Sequence, residues 1–274
     1  MKNTLKELLL FTLLLISYIY IITNIKFITK ETINILKISI KNIIPILFPT
    51  LILSNILYSS KIPYYINKYL HINPIYILSI ITGSPTNASI LKNYKNTTQI
   101  LSLTNYPSLI FIYNYLIKIF NQKIAILLIL LNILSNIIIF LIIKPNKLTY
   151  ENTNKISLTK SITSSTNTII NIIGSCLFYA ILPTNLIKNK YLKTFLLSIT
   201  EITSSLNNLT IINLPTNIKL LFTIITISTT GLCIQTQILS IIKNINIKEY
   251  IKNRLLHLVI YLILTYLFIY FNII

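Results

Sequence analysis

The sequence predicts an all-α polytopic membrane protein, on three observations: an apolar excess, a shortage of charge, and two apolar stretches that break in the middle. Of 274 residues, 54% are apolar and only 11% are charged. The mean hydropathy is +0.74. A soluble domain carries about 25% charged residues. A bilayer core about 30 Å thick takes roughly 20 apolar residues per helical crossing. The whole chain, 1–274, therefore reads as a single transmembrane domain of about seven spans plus two shorter dipping hairpins.

The first apolar run, Leu8–Ile22, follows a short Lys-bearing start and shows no small-residue cleavage site. It is read as a retained span within an N-terminal segment, 1–30. Further spans are expected at 43–59, 98–119, 122–143, 162–187, 217–242 and 252–273. Residues 31–42 alternate charged and apolar positions and read as an interfacial helix. The polar stretch 144–161 is the natural joint between a first half, 31–143, and a second half, 162–274.

Two apolar stretches do not fit as ordinary spans. Residues 75–93 break at Gly83-Ser84-Pro85-Thr86-Asn87-Ala88-Ser89. Residues 191–213 break at Glu201 and again at Thr203-Ser204-Ser205. Non-helical backbone at membrane depth is tolerated only inside protein or along a wet cavity. Interrupted segments at matching places in two halves point to a transporter binding site. Each break is read as a re-entrant helical hairpin. The extra span 122–143 between the halves makes the two repeats inverted, so the hairpins meet near the midplane. The distribution of basic residues over the loops places the N-terminus on the cytoplasmic side.

The candidate site residues follow from the breaks. Glu201 is the carboxylate flanked on both sides by apolar sequence, and an ionisable group at membrane depth is by default functional. Its roles would be ligand hydrogen bonding, cation coordination or proton exchange. Thr203, Ser204 and Asn207 stand beside it, with Thr200, Ser205 and Asn208 as further donors and acceptors. Ser84, Thr86, Asn87 and Ser89 supply the first hairpin. Gln235 and Gln237 lie in an apolar span. The chain has three Gly in all: Gly83, Gly174 and Gly231. In so Gly-poor a sequence each is expected to shape backbone or close helix contact. Pro85 and Pro107, with Gly174 and Gly231, are expected as structural hinges.

Other classes are excluded. The net charge of +19 resembles a nucleic-acid signal, but the Lys are scattered singly. Nucleic-acid binders gather their charge on one face. Abundant Ile, Asn, Lys and Tyr with few Gly mark an AT-rich genome, so much of this charge is drift at loop positions. Cys176 and Cys233 fall in apolar runs and read as two buried reduced thiols, with a disulfide as the alternative. Two His, His71 and His257, and no CxxC or HxxxH spacing give no metal-site motif. No nucleophile elbow, P-loop or dinucleotide fingerprint occurs. No catalytic residue, metal or cofactor is expected, and the chain is not read as an enzyme.

At these residues the chain resembles the YlbJ family of sporulation integral membrane proteins, part of the wider group with the nucleoside-recognition Gate domain. ITGSPTNAS is similar to that family's SGYPxGA hairpin motif, with Gly83, Pro85 and Ala88 in register. PILFPTLILSNIL is similar to its LFPFLVLS span. SITEITSSL is similar to its LEIT-Gly segment, with Glu201 on the acidic position. TTGLCIQTQILSI resembles GGLSxxxQ, with Gly231 and Gln237 on the motif. The ending YIKNRLLHLVIYLIL carries Arg254 and His257 on an Arg-x-x-His pattern. The chain departs from the motifs at Ser84 for Tyr, Asn87 for Gly, Thr230 for Gly, and Ser204 or Ser205 for Gly.

The resemblance implies a multi-pass protein of a bacterial plasma membrane, linked to endospore formation. It also implies transport of a nucleoside-like or other small solute. The alternative is a non-transporting scaffold in spore or cell-envelope assembly. Expected partners are the bilayer, the solute and, where transport is coupled, a cation. Nucleic acid is not expected, and self-association is left open.

Overall fold

The computed structural model describes residues 2–70, 83–91, 94–95, 97–145, 149–150, 157–181, 187–242 and 244–271. The described chain is helical apart from one two-residue ribbon. Helix α1 spans Lys2–Thr23 and α2 spans Ile25–Ile38. A π turn over Ser39–Ile43 carries α2 directly into α3, Ile44–Ser59. Pro45 explains the turn. It has no N–H to give to the carbonyl four residues back, and its ring crowds that carbonyl. The helix widens by one residue, and Ile44 N–H reaches Ser39 O instead. The segment 31–42 is thus continuous with the following span, because nothing between Ile25 and Pro45 stops the helix.

After α4, Ile62–Leu70, the chain resumes at Gly83. The start of the expected first hairpin, 75–82, lies outside the described residues. Then follow α5 (Thr86–Leu91), α6 (Thr98–Thr104), α7 (Leu109–Ile119) and α8 (Gln122–Ile143). Helix α9 covers Leu158–Ile181, α10 Lys190–Thr200, α11 Ile202–Ile211 and α12 Thr216–Thr229. The last two are α13, Gly231–Ile241, and α14, Ile247–Tyr270. Strand β1, Tyr94–Lys95, pairs antiparallel with β2, Thr149–Tyr150, in the polar joint. Asn supplies the starts: Asn121, Asn189 and Asn246 side chains accept the first free N–H groups of α8, α10 and α14.

Among the described residues, four helical segments are long and apolar enough to cross a membrane: Ile25–Ser59, Gln122–Ile143, Thr216–Ile241 and Ile247–Tyr270. The distribution of side chains agrees with a lipid solvent. On α14 the inward stripe is Tyr250, Asn253, Arg254, His257, Tyr261 and Thr265. Its outward face is Leu255, Val259, Ile263 and Tyr266. On α8, Asn132 and Ser135 point inward while Leu130, Leu134 and Leu141 point out. On these faces apolar groups point outward while polar groups lie among the buried residues, the reverse of the bias of a water-soluble helix.

Two expected spans are not continuous. Residues 98–119 are cut at 105–108, between α6 and α7, where Pro107 has no N–H to continue the ladder. Residues 217–242 are cut at Thr230, which holds a left-handed φ of 58°. The two expected breaks are narrower than the sequence indicates. Thr86 to Leu91 is already helical, and the second break is confined to Glu201.

Helix α3 lies along α9, and α13 packs on α9 and α10. Helix α14 packs against α6, α8 and α12. Across the two halves, α7 contacts α11 and α5 contacts α13.

Candidate functional site

Four interruptions among the described residues gather in one region of the bundle: Gly83–Pro85, Asn105–Ser108, Glu201 and Thr230. They cross in pairs. Gly83 has φ 66°, and a Cβ there would sit on the backbone N of Ser108 and 2.7 Å from Pro107 C. Ser84 N–H donates to Tyr106 O at 2.7 Å. In the second half Gly231 has φ 73°, and its Cβ would lie 3.0 Å from Thr200 O and 3.2 Å from Glu201 N. Thr229 Oγ1 donates to Ser198 O at 3.1 Å. Both glycines are therefore required, by positive φ and by backbone crossing.

The crossings are tied to each other. Asn105 Nδ2 donates to Thr230 Oγ1 at 3.1 Å and to Tyr250 OH. Asn105 Oδ1 meets the Ser84 hydroxyl. Thr230 Oγ1 also accepts from Gln235 Nε2 at 3.2 Å. Arg254, 6% exposed, lies beneath the crossings. Its guanidinium donates to Ser102 O at 3.0 Å and through two nitrogens to Ser228 O. These are carbonyls of the last turns of α6 and α12, which have no helical partner once the helix stops. A cation there also opposes the negative ends of two helix dipoles.

Glu201 is 1% exposed and caps α11. Its carboxylate accepts from Thr203 N–H at 2.9 Å and from Ser204 N–H. A cavity of about 40 Å³ opens beside it. Its wall combines both halves: Ser84, Pro85, Pro107 and Ser108 from the first, Glu201, Thr203, Cys233 and Gln237 from the second. Ile43, Leu47, Ile172 and Cys176 close it. A larger cavity of about 330 Å³ lies behind Gly231. It is bounded by Ile199, Gln235, Tyr250 and Arg254 among apolar side chains.

The structure brings Ser84, Pro85, Pro107, Glu201, Thr203 and Gln237 together on one cavity. Gly83 and Gly231 shape it through the crossings. Ser204 holds the Glu201 carboxylate by its N–H. Asn87 is committed to its neighbours, donating to Thr104 O of α6 at 2.8 Å and accepting from Ser84 Oγ at 3.0 Å. Thr86 is buried behind it, and Asn207 sits further along α11; neither lines the cavity. Gly174 lies within α9 with nothing within 4 Å of an added Cβ, so no close contact requires a glycine there. Ser205 joins helices rather than lining the cavity, with Oγ 2.8 Å from Thr226 Oγ1 and 3.2 Å from Ser198 Oγ.

Sequence reasoning missed Asn105 as the tie between the crossings and Ser108 and the two Cys as cavity neighbours. Cys176 and Cys233 face each other, Sγ to Sγ 3.6 Å, as free thiols. Comparison of the chain with protein-family models, with curated proteins and with solved structures gives no significant match.

Proposed function

We propose that the chain is a membrane-embedded permeation protein, a secondary transporter or gated pathway for a small solute, working where its four helix breaks cross. The observation that carries this reading is the convergence of four non-helical segments around one buried carboxylate. Broken helices leave backbone groups that lipid cannot satisfy, so they persist only where they line a site or pack inside protein. Discontinuous helices at the interface of two repeats are the recurrent architecture of secondary transporters.

Two repeats related by a pseudo-twofold are part of the proposal. Each half has a break crossed by the next break: Gly83 on Pro107–Ser108, and Glu201 under Gly231. The contacts between halves exchange under that operation, α5 with α13 and α11 with α7. Arg254 bonds equivalent last turns in both. The resemblance to the YlbJ-like group extends the reading to a bacterial plasma membrane and a role in spore formation. Thr230 supports it: it holds φ 58° at the position where the resembled motif has glycine.

The cavity size sets the conformation. One water needs roughly 10–15 Å³ of such space. A site of about 40 Å³ thus accepts an ion or a few waters, and a nucleoside-sized solute requires the halves to part. The test is flux in proteoliposomes, screening nucleosides, amino acids, dipicolinate and ions, with Glu201→Gln as control. The reading predicts one solute whose wild-type flux exceeds that of the variant by at least about 10-fold, a loss of 1.4 kcal/mol or more. Equal flux for every solute, with a stoichiometric protein partner captured by cross-linking, would favour a scaffold instead.

A further inference from the structure

We propose that Cys176, Glu201 and Cys233 form a binding site for a thiophilic divalent cation of the zinc class. The site does not depend on the permeation reading, since equilibrium binding requires no flux.

The three residues come from different elements: Cys176 from the C-terminal part of α9, Glu201 from the α10–α11 break and Cys233 from the first turn of α13. All three are buried, and their sulfur and carboxylate oxygen atoms lie within 4.8 Å of one another. The spacing fits a metal. Zinc binds thiolate sulfur at about 2.3 Å in tetrahedral geometry, which sets two sulfurs about 3.8 Å apart. The observed separation is 3.6 Å.

The carboxylate is already oriented. Thr203 and Ser204 N–H groups hold its two oxygens, and each oxygen retains a lone pair for a cation. Outer hydrogen bonds of this kind fix a ligating carboxylate. Gln237 supplies the independent observation. It is buried on the cavity wall and its Oε1 has no hydrogen-bond partner. Its Nε2 lies 3.3 Å from Cys233 Sγ. Rotation of that amide by a half turn presents the oxygen to the same centre. The cavity of about 40 Å³ admits the ion with a water or a cargo atom in a remaining position.

Charge and atoms balance. Two thiolates and a carboxylate carry three negative charges, and a divalent cation leaves one. That remainder lies at the positive N-terminal ends of α11 and α13. On binding, each thiol releases its proton to solvent and a metal–sulfur bond takes its place. No electron transfer is involved.

The experiment uses the purified, reduced full chain in detergent, titrated with Cd²⁺ as a spectroscopic thiophilic probe and with Zn²⁺ in competition. The expected result is an ultraviolet thiolate-to-metal band that saturates at one equivalent per chain. Cys176→Ser and Cys233→Ser should each abolish it, and Glu201→Gln should weaken it at least 10-fold. A second measurement needs no variant. Zn²⁺ should slow alkylation of both thiols in the wild-type chain at least 10-fold, and Mg²⁺ should not. A band that survives in the double serine variant would overturn the site. So would alkylation that proceeds equally with and without Zn²⁺.

Discussion

Gly83, Gly174 and Gly231 look alike in the sequence, yet the structure separates them. At Gly83 a methyl group would meet the backbone of Ser108 in a left-handed conformation. Gly83→Ala should therefore cost about 2–5 kcal/mol, from αL strain plus overpacking. Gly231→Ala meets Thr200 O at 3.0 Å and should cost about 1–3 kcal/mol. Gly174→Ala adds a methyl to open space within a helix, where alanine is favoured by about 0.5–1 kcal/mol. Thermal unfolding in detergent checks the order. Equal effects of the three substitutions would remove the reason given for the crossings.

At the scale of elements, α6 and α12 end inside the bundle, and Arg254 takes up their last carbonyls. The planar fork of Arg sends three separate nitrogens to two carbonyls in fixed geometry, which one ammonium nitrogen does not reproduce. Arg254→Lys should orphan at least one carbonyl, at about 1–3 kcal/mol. The expected readout is a lowered unfolding midpoint in detergent; an unchanged midpoint would show that the guanidinium is not what satisfies these helix ends. Two of the breaks were legible in the sequence, because Gly83-Ser84-Pro85 and Glu201 interrupt apolar runs with residues that lipid excludes. The other two were expected only as hinges, at Pro107 and Gly231, and not as stops of the helix. Tyr106-Pro107 reads as a plain kink. At Thr230 itself a β-branched residue disfavours positive φ, and the Thr200–Glu201 backbone crossing beneath Gly231 and the bonds to Asn105 and Gln235 hold it there.

At the scale of the molecule, helices long enough to span a bilayer were legible from hydropathy because burial in lipid leaves its mark on every residue. The meeting of the halves was legible only as an expectation of paired breaks. What joins them is long-range, with Asn105 and Thr230 separated by 125 residues; within the second half, Cys176 and Cys233 are separated by 57. No spacing pattern encodes such pairs, so the sequence offered two unremarkable thiols where the fold makes a cluster. Asn105→Leu removes the tie to Thr230 and Tyr250 while keeping comparable bulk. It should loosen the contact between halves, seen as faster hydrogen exchange at the α6 and α12 ends. Unchanged exchange there would assign the coupling to apolar packing alone.

The central claim is that solute passes through the cavity shared by the breaks. The thiols on its wall allow a direct test in the native chain. In proteoliposomes with chelator present, diamide accepts two electrons and two protons and joins Cys176 to Cys233, replacing two thiols of the cavity wall with a disulfide that locks the neighbouring helices α9 and α13. The account predicts that flux of the transported solute falls at least 10-fold on oxidation and recovers on reduction, and that a Cys176→Ala variant is indifferent to diamide. Undiminished flux through the fully cross-linked protein would contradict it.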